Sequence, residues 1–220
     1  MDNRLHALQE HPLFSSLSEQ SLARQLLPLC RERSFLRDQS IFHPQERVDQ
    51  IALVLSGRVH LAHLFEDGSI SLMTVLGKGA VLGADLAATP SRRAPYHALA
   101  AEETQLLLMP ADAILTPGSL DEVDRLILLQ GLLRLVANAN MKKEYRLAIL
   151  SRKGLRQRIL TYLTMQAAKQ GRQSFSIPFS REELAAFLCV NRSALSHELS
   201  LMAEEGILRF RKNEFTLLDR

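Results

Sequence analysis

The sequence predicts an α+β fold in three parts, and three observations predict it. Short apolar runs broken by turn signals fill the first half of the chain. One long helical run with a seven-residue apolar repeat follows. Two short helices with a tight turn between them, then a basic-tipped hairpin, close the chain as a winged helix-turn-helix. Short strands at regular spacing indicate a sandwich or barrel. The boundaries this reading sets are 1–118 for the strand-rich domain with its N-terminal helices, 119–150 for the long helix, and 151–220 for the winged domain.

Residues 1 to about 30 read as helical. Leu5, Leu8, Leu13, Phe14 and Leu17 precede Ser18-Glu19-Gln20-Ser21, and Leu22, Leu26, Leu27 and Leu29 then recur at helical steps. His6 and His11 have no cysteine or carboxylate at ligand spacing and read as surface residues.

From Ser34 to about Leu108 the period shortens. The apolar runs are Ile41-Phe42, Ile51 to Leu55, Val59 to Leu61, Ser71 to Leu76, Ala80 to Leu82, Tyr96 to Leu99 and Gln105 to Leu108. Ser56-Gly57, Asp67-Gly68, Gly77-Lys78-Gly79 and Thr89-Pro90 punctuate them. Asp67-Gly68 between two apolar runs is a strong hairpin signal.

Leu120 to about Leu150 holds no proline and one glycine, Gly131. Leu126, Leu133, Asn140 and Leu147 recur every seven residues, with Leu129 and Val136 between them. Such a seam zips two helices side by side, and a polar Asn140 within it fixes register. A homodimer is expected, with Leu126, Leu129, Leu133, Val136 and Asn140 at its interface. Ile127, Leu128 and Leu132 give the helix a second apolar side, for packing against its own barrel. Ser151-Arg152-Lys153-Gly154 is the expected hinge. Another amphipathic helix, Leu155 to Gln170, ends at Gly171.

Ser180 begins the helix-turn-helix. Glu183, three residues on, can reach back to the cap, which is a capping box. Cys189-Val190 makes the turn and Asn191 can cap the second helix. Leu195, Leu199 and Met202 should face the core. Arg192, Ser193, Ser196, His197 and Ser200 form one polar stripe with no acid in it. Those side chains can hydrogen-bond base edges and phosphates in a major groove. Ile207 to Phe210 and Glu214 to Leu218 are strands around Arg211-Lys212-Asn213, the wing. Two matched helices one turn apart would recognise a double-stranded DNA operator with two-fold symmetry.

The net charge is +3, and its distribution matters more than its size. From residue 148 onward, 12 Lys+Arg face 7 Asp+Glu; the first 147 residues hold 15 against 17. Basic charge collects where the stripe lies, as nucleic-acid binding requires. No apolar run reaches the roughly 18 residues of a membrane span, and Met1-Asp2-Asn3-Arg4 opens no signal peptide. No membrane association and a cytoplasmic location are expected. Cys30 and Cys189 are the only cysteines, too few for a four-cysteine cluster within one chain. No triad is identifiable by spacing, and Gly77-Lys78-Gly79 lacks the phosphate-loop pattern, so an enzyme is not expected.

The order of parts resembles that of CRP/FNR-type transcription regulators. LVLSGRVHLAHLFEDGSISLMTVLGKGAVLG (53–83) is similar to the family's cyclic-nucleotide-binding-like domain, and SIPFSREELAAFLCVNRSALSHELSLMAEEGIL (176–208) to its DNA-binding end. The resemblance implies an N-terminal double-stranded β-helix, a jelly-roll-like β-roll that binds a small effector. It also implies a long helix that transmits the change, and RNA polymerase as a partner. It places Ser180 on phosphate and Arg192, Ser193 and His197 at the base-reading positions. Arg181, Asn191, Ser196 and Lys212 complete the expected DNA-contacting set. Family members often carry glutamate at the position of Ser193 and arginine at that of His197. Neutral histidine donates only one hydrogen bond, so His197 does not copy a bidentate arginine. Cys189 stands where the family usually has glycine.

The resemblance also aligns an effector pocket. Where cAMP-binding members hold ribose with Gly-Glu and phosphate with Arg-Ser, this chain has Gly83-Ala84 and Arg93-Ala94, flanked by Leu82 and Arg92. Each unmet buried polar group costs about 1–3 kcal/mol, so cAMP is not the expected effector. An iron–sulfur cluster is not expected either. Haem stays open through His43, His60, His63 or His97, and a redox role through Cys30 or Cys189. From a different class, a protein-interaction module using the winged domain, or an effector-binding enzyme subunit, remain alternatives.

Overall fold

The computed structural model describes residues 3–218, which divide into two compact units: residues 3–62 with 76–140, and 63–75 with 141–218.

The first unit begins with α1 (Asn3–Glu10). A short α2 (Glu19–Ser21), capped by Ser18 accepting the Ser21 N–H at 3.0 Å, runs on into a π-helical stretch (Leu22–Leu26) and a 3-10 turn (Leu27–Leu29). The strands then follow: β1 (Arg31–Phe35), β2 (Ser40–Phe42), β3 (Gln50–Ser56), β4 (Val59–Leu64), β5 (Ile70–Leu76) and β6 (Val81–Leu82). After the one-turn α3 (Ala84–Ala87) come β7 (His97–Ala100) and β8 (Thr104–Pro110). They form two four-stranded sheets, β1-β8-β3-β6 and β2-β7-β4-β5, and β1–β8, β3–β8, β3–β6, β2–β7 and β4–β7 all pair antiparallel. The expected β-roll is present. The short α4 (Asp112–Leu115) leads to the long α5 (Glu122–Leu150).

One core unites this unit. Leu8, Phe14, Leu22 and Leu26 of the N-terminal segment pack with Ile51, Leu53, Leu107 and Met109 of the first sheet and with Leu128 and Leu132 of α5. Burying each such side chain contributes roughly 1.5–3 kcal/mol. Gly131 lies between the two leucines of α5, and a Cβ there would come within 2.5 Å of Leu13 Cδ1.

Two features depart from the sequence reading. His11 is buried, not on the surface. Its Nδ1 accepts the Leu13 N–H at 3.1 Å in the turn after α1, and burial lowers its pKa. β1 was not anticipated: four of its five residues, Arg31 to Ser34, are exposed, so no apolar alternation marks it. It is an edge strand whose charges discourage pairing with another chain.

The second unit contains the end of α5, α6 (Leu155–Gln170), β9 (Ser174–Ser176), α7 (Arg181–Phe187), α8 (Arg192–Glu204), β10 (Leu208–Arg211) and β11 (Glu214–Leu217). Gly171 ends α6 in the left-handed conformation. The wing is a three-stranded sheet in the order β10-β11-β9. The sequence reading has the outer hairpin and treats β9 only as an extended lead-in; its Phe175 pairs with Phe215. Tyr162, Phe179 and Phe187 cluster with ring centroids 4.9–5.9 Å apart. Leu195, Leu199 and Met202 of α8 are buried in this unit as well. Residues 63–75, which hold the end of β4, the turn after it and β5 up to Val75, group with this unit and not with the first.

Candidate nucleic-acid interface

Local chemistry sets the helix-turn-helix. Ser180 Oγ accepts the Glu183 N–H at 3.2 Å, and Glu183 Oε2 accepts the Ser180 N–H at 2.7 Å, which completes the capping box. Cys189 adopts φ 57°, the left-handed turn that a side chain tolerates at roughly 1 kcal/mol or more. Asn191 Oδ1 accepts the Ala194 N–H at 2.7 Å and starts α8. Arg156 fastens the other side of α8: it donates to Glu198 at 2.6 Å and to Glu205 through both terminal nitrogens, at 2.7 and 2.8 Å.

The polar stripe of α8 is largely exposed. Arg192, Ser193, His197 and Ser200 are open, while Ser196 is half-buried and its carbonyl accepts the Ser200 hydroxyl. Arg192 has no hydrogen-bond or ion-pair partner among the described residues. The Ser193 hydroxyl donates to Asn191 Oδ1 at 2.8 Å, which leaves its oxygen free to accept. Arg181 takes a place sequence reasoning missed. Its guanidinium lies over Phe210 at 4.8 Å and Phe215 at 5.6 Å, and Nη2 donates to the Lys212 carbonyl at 3.0 Å. It fastens the wing tip, where Lys212 is exposed at φ 53°, to the start of α7. Burial and the neighbouring Arg192 charge both lower the Arg181 pKa. Two cations close enough for one charge to act on the other make a local positive field that suits phosphate.

The β-roll residues aligned with an effector pocket are not brought into one cavity. Leu82 and Gly83 line a cavity of about 280 Å³ together with Arg33, Phe35, Ile41, Phe42, Val48 and Asp49. Ala84, Arg92, Arg93 and Ala94 do not line it, and Ala94 is fully buried. Arg92 Nη1 donates to Asp49 at 3.0 Å and to Asp112 at 2.9 Å. Arg93 Nη1 donates to the Gln45 carbonyl at 2.6 Å. Tyr96 reaches Asp85 at 3.4 Å, and burial, then that carboxylate, raise its pKa. No group of three or more His, Cys, Asp or Glu among the described residues can hold a metal ion.

Two family models match the chain in the same order as these parts. Residues 32–116 match the cyclic nucleotide-binding domain, and residues 157–220 match the Crp-like helix-turn-helix domain. The chain belongs to the CRP/FNR family of transcription regulators.

Like the rest of that family, this regulator is a transcription factor and not an enzyme. It binds DNA through its helix-turn-helix and carries an effector-binding domain; family members dimerise. A Cyclic AMP receptor protein of Thermus thermophilus is 27% identical over 199 residues, which cover 90% of this chain and 88% of that protein. Among solved structures, FixK2 of Bradyrhizobium japonicum superposes with a TM-score of 0.66 at 21% identity, covering 87% of this chain and 93% of that one. The c-di-GMP-responsive regulator CLP of Xanthomonas campestris superposes with a TM-score of 0.68 at 17% identity, covering 88% and 96%. At these identities the two structures speak for the fold of this regulator. No helix among its described residues is long and apolar enough to cross a membrane.

Proposed function

We propose that this regulator acts in the cytoplasm as a homodimer that reads a two-fold double-stranded DNA operator. The exposed face of α8, led by the unpaired guanidinium of Arg192, carries that reading. Arg192 reads a base edge, Ser193 and His197 contact neighbouring base edges, and Ser180, Arg181, Asn191, Ser196 and Lys212 hold the backbone or shape the face. Arg181 does so by fixing the wing tip to α7. The division of labour is sensing in 1–118, pairing in 119–150 and reading in 151–220.

Pairing is supported by the surface of α5. Leu126 is 49% exposed, Leu133 71% and Leu147 63%, and Asn140 is open, while Leu129 and Val136 are half-covered. Leu128 and Leu132 already serve the helix's own core. An apolar seam left open at heptad spacing is what a second α5 would cover.

The effector is a small molecule other than cAMP. Ala84 and Ala94 supply no polar side chain for ribose or phosphate, and Arg92 is engaged by two carboxylates. RNA polymerase is the partner through which an occupied operator alters transcription. Sedimentation of the full chain together with fluorescence anisotropy on duplexes tests this reading. A dimer whose binding weakens steeply with salt, and whose sequence preference relaxes on Arg192→Ala, is the expected result. Calorimetry with cAMP should show no saturable heat. A monomer without sequence preference would refute the proposal.

A further inference from the structure

Ser71 of β5, Arg146 of α5 and Cys189 of the α7–α8 turn lie far apart in sequence yet meet. Arg146 Nη2 donates to Ser71 Oγ at 3.0 Å and stands 3.8 Å from Cys189 Sγ. Ser71 Oγ and Cys189 Sγ are themselves 3.5 Å apart. The guanidinium lies over the Phe187 ring at 5.4 Å. No carboxylate pairs with it among the described residues, and its buried Nε has no hydrogen-bond partner. A half-buried cation held by one hydroxyl, one thiol and one ring is poorly compensated for the water it has lost. Such a contact forms when packing brings the groups together and opens at small cost.

The same turn is held from elsewhere. Arg158 Nη1 donates to the Leu188 carbonyl and its Nε to the Arg152 carbonyl in the hinge, each at 3.2 Å. The turn that sets the direction of α8 is thus tied to the hinge by Arg158 and to the β4–β5 hairpin by Arg146. The hairpin tip between β4 and β5, residues 65–69, carries Glu66 and Asp67 and no lysine or arginine. Held in the same compact unit as α8, those two acids oppose a phosphate backbone.

We propose that Arg146 is an autoinhibitory latch. By hooking Ser71 and Cys189 together it keeps the acidic hairpin tip on the helix-turn-helix and lowers affinity for DNA until the contact opens. The proposal rests on α8 being the DNA-facing element.

Ser71→Cys in the full-length chain tests it. The new sulfur stands near the position of Ser71 Oγ, 3.5 Å from Cys189 Sγ. A small side-chain rotation closes that gap to the disulfide length of about 2.05 Å. Cys30 is buried and does not compete. Mild oxidation is expected to give a bridge within one chain, seen as a fall from three titratable thiols to one in the denatured chain with no dimer band on a non-reducing gel. The bridged protein should bind a duplex selected by the wild type about tenfold more weakly than the same protein after dithiothreitol. Arg146→Gln and Ser71→Ala should bind it more tightly than wild type. Recovery on reduction separates a latch from a folding defect. Failure of the intrachain bridge to form, or equal affinity in both states, overturns the proposal. Arg192→Ala is measured in parallel. If it too leaves binding unchanged, the DNA-facing assignment of α8 falls with the latch; if it weakens selective binding, only the latch falls.

Discussion

Arg92 holds Asp112 with both of its terminal nitrogens and spends one of them on Asp49 as well. Arg47 closes the group by donating to Asp49 at 2.8 Å. Arg92, with a smaller contribution from Arg47, lowers the pKa of Asp112, and Arg47 with Arg92 lowers that of Asp49. A carboxylate with a depressed folded pKa adds stability that is complete above its unfolded value. That stability is lost as pH falls through the folded value. Thermal unfolding should therefore shift downward as pH drops below about 4. Asp112→Asn should flatten that acid limb. An identical acid limb in the variant would show that this pair is not part of it.

Arg192→Ala should cost about 1–3 kcal/mol of operator binding and relax preference at one base pair of each half-site. Lys212→Ala should weaken binding to all duplexes alike and reduce the salt slope by about one. Anisotropy titrations on matched and mismatched duplexes, at several salt concentrations, distinguish the two. Uniform loss on Arg192→Ala would make it a phosphate contact.

Asn191→Ala removes the cap that accepts the Ala194 N–H. It should destabilise the winged domain by about 1 kcal/mol, read by urea denaturation. A larger effect on DNA affinity than on unfolding would show that the amide also touches DNA.

These contacts differ in how far the sequence reveals them. Ser180 with Glu183 and Asn191 with Ala194 are local, within three residues, so spacing and residue type suffice, whereas the left-handed Cys189 is suggested only by the glycine that related regulators carry there. The apolar seam of α5 is legible for the same reason. Arg92 meets partners 20 and 43 residues away, and Ser71 meets Cys189 across 118. Periodicity carries no signal for such pairs. The mostly exposed β1 is silent because it is an edge, and His11 because its burial depends on a turn.

Gly83 sits at φ 83°, and a Cβ there would approach the Gln50 carbonyl oxygen to 2.6 Å. Gly83→Ala should cost about 2 kcal/mol through left-handed strain and this clash. Chemical denaturation measures it. A neutral substitution would mean that the loop after β6 can move away from β3.

Cys30 is buried, donates to the Leu26 carbonyl at 3.3 Å, and has its thiol pushed up to about 11 by burial. Cys189 is exposed. A thiol titration near pH 8 should find one fast-reacting group in the folded chain and two after denaturation. Two fast groups in the folded protein would contradict this placement of Cys30.

Selection of the full-length protein against a pool of random duplexes tests the central claim most directly. An inverted repeat should emerge, its half-sites separated centre to centre by about 10 base pairs or a multiple of that spacing. Enrichment of no sequence, or of a single asymmetric site bound by one chain, would contradict it.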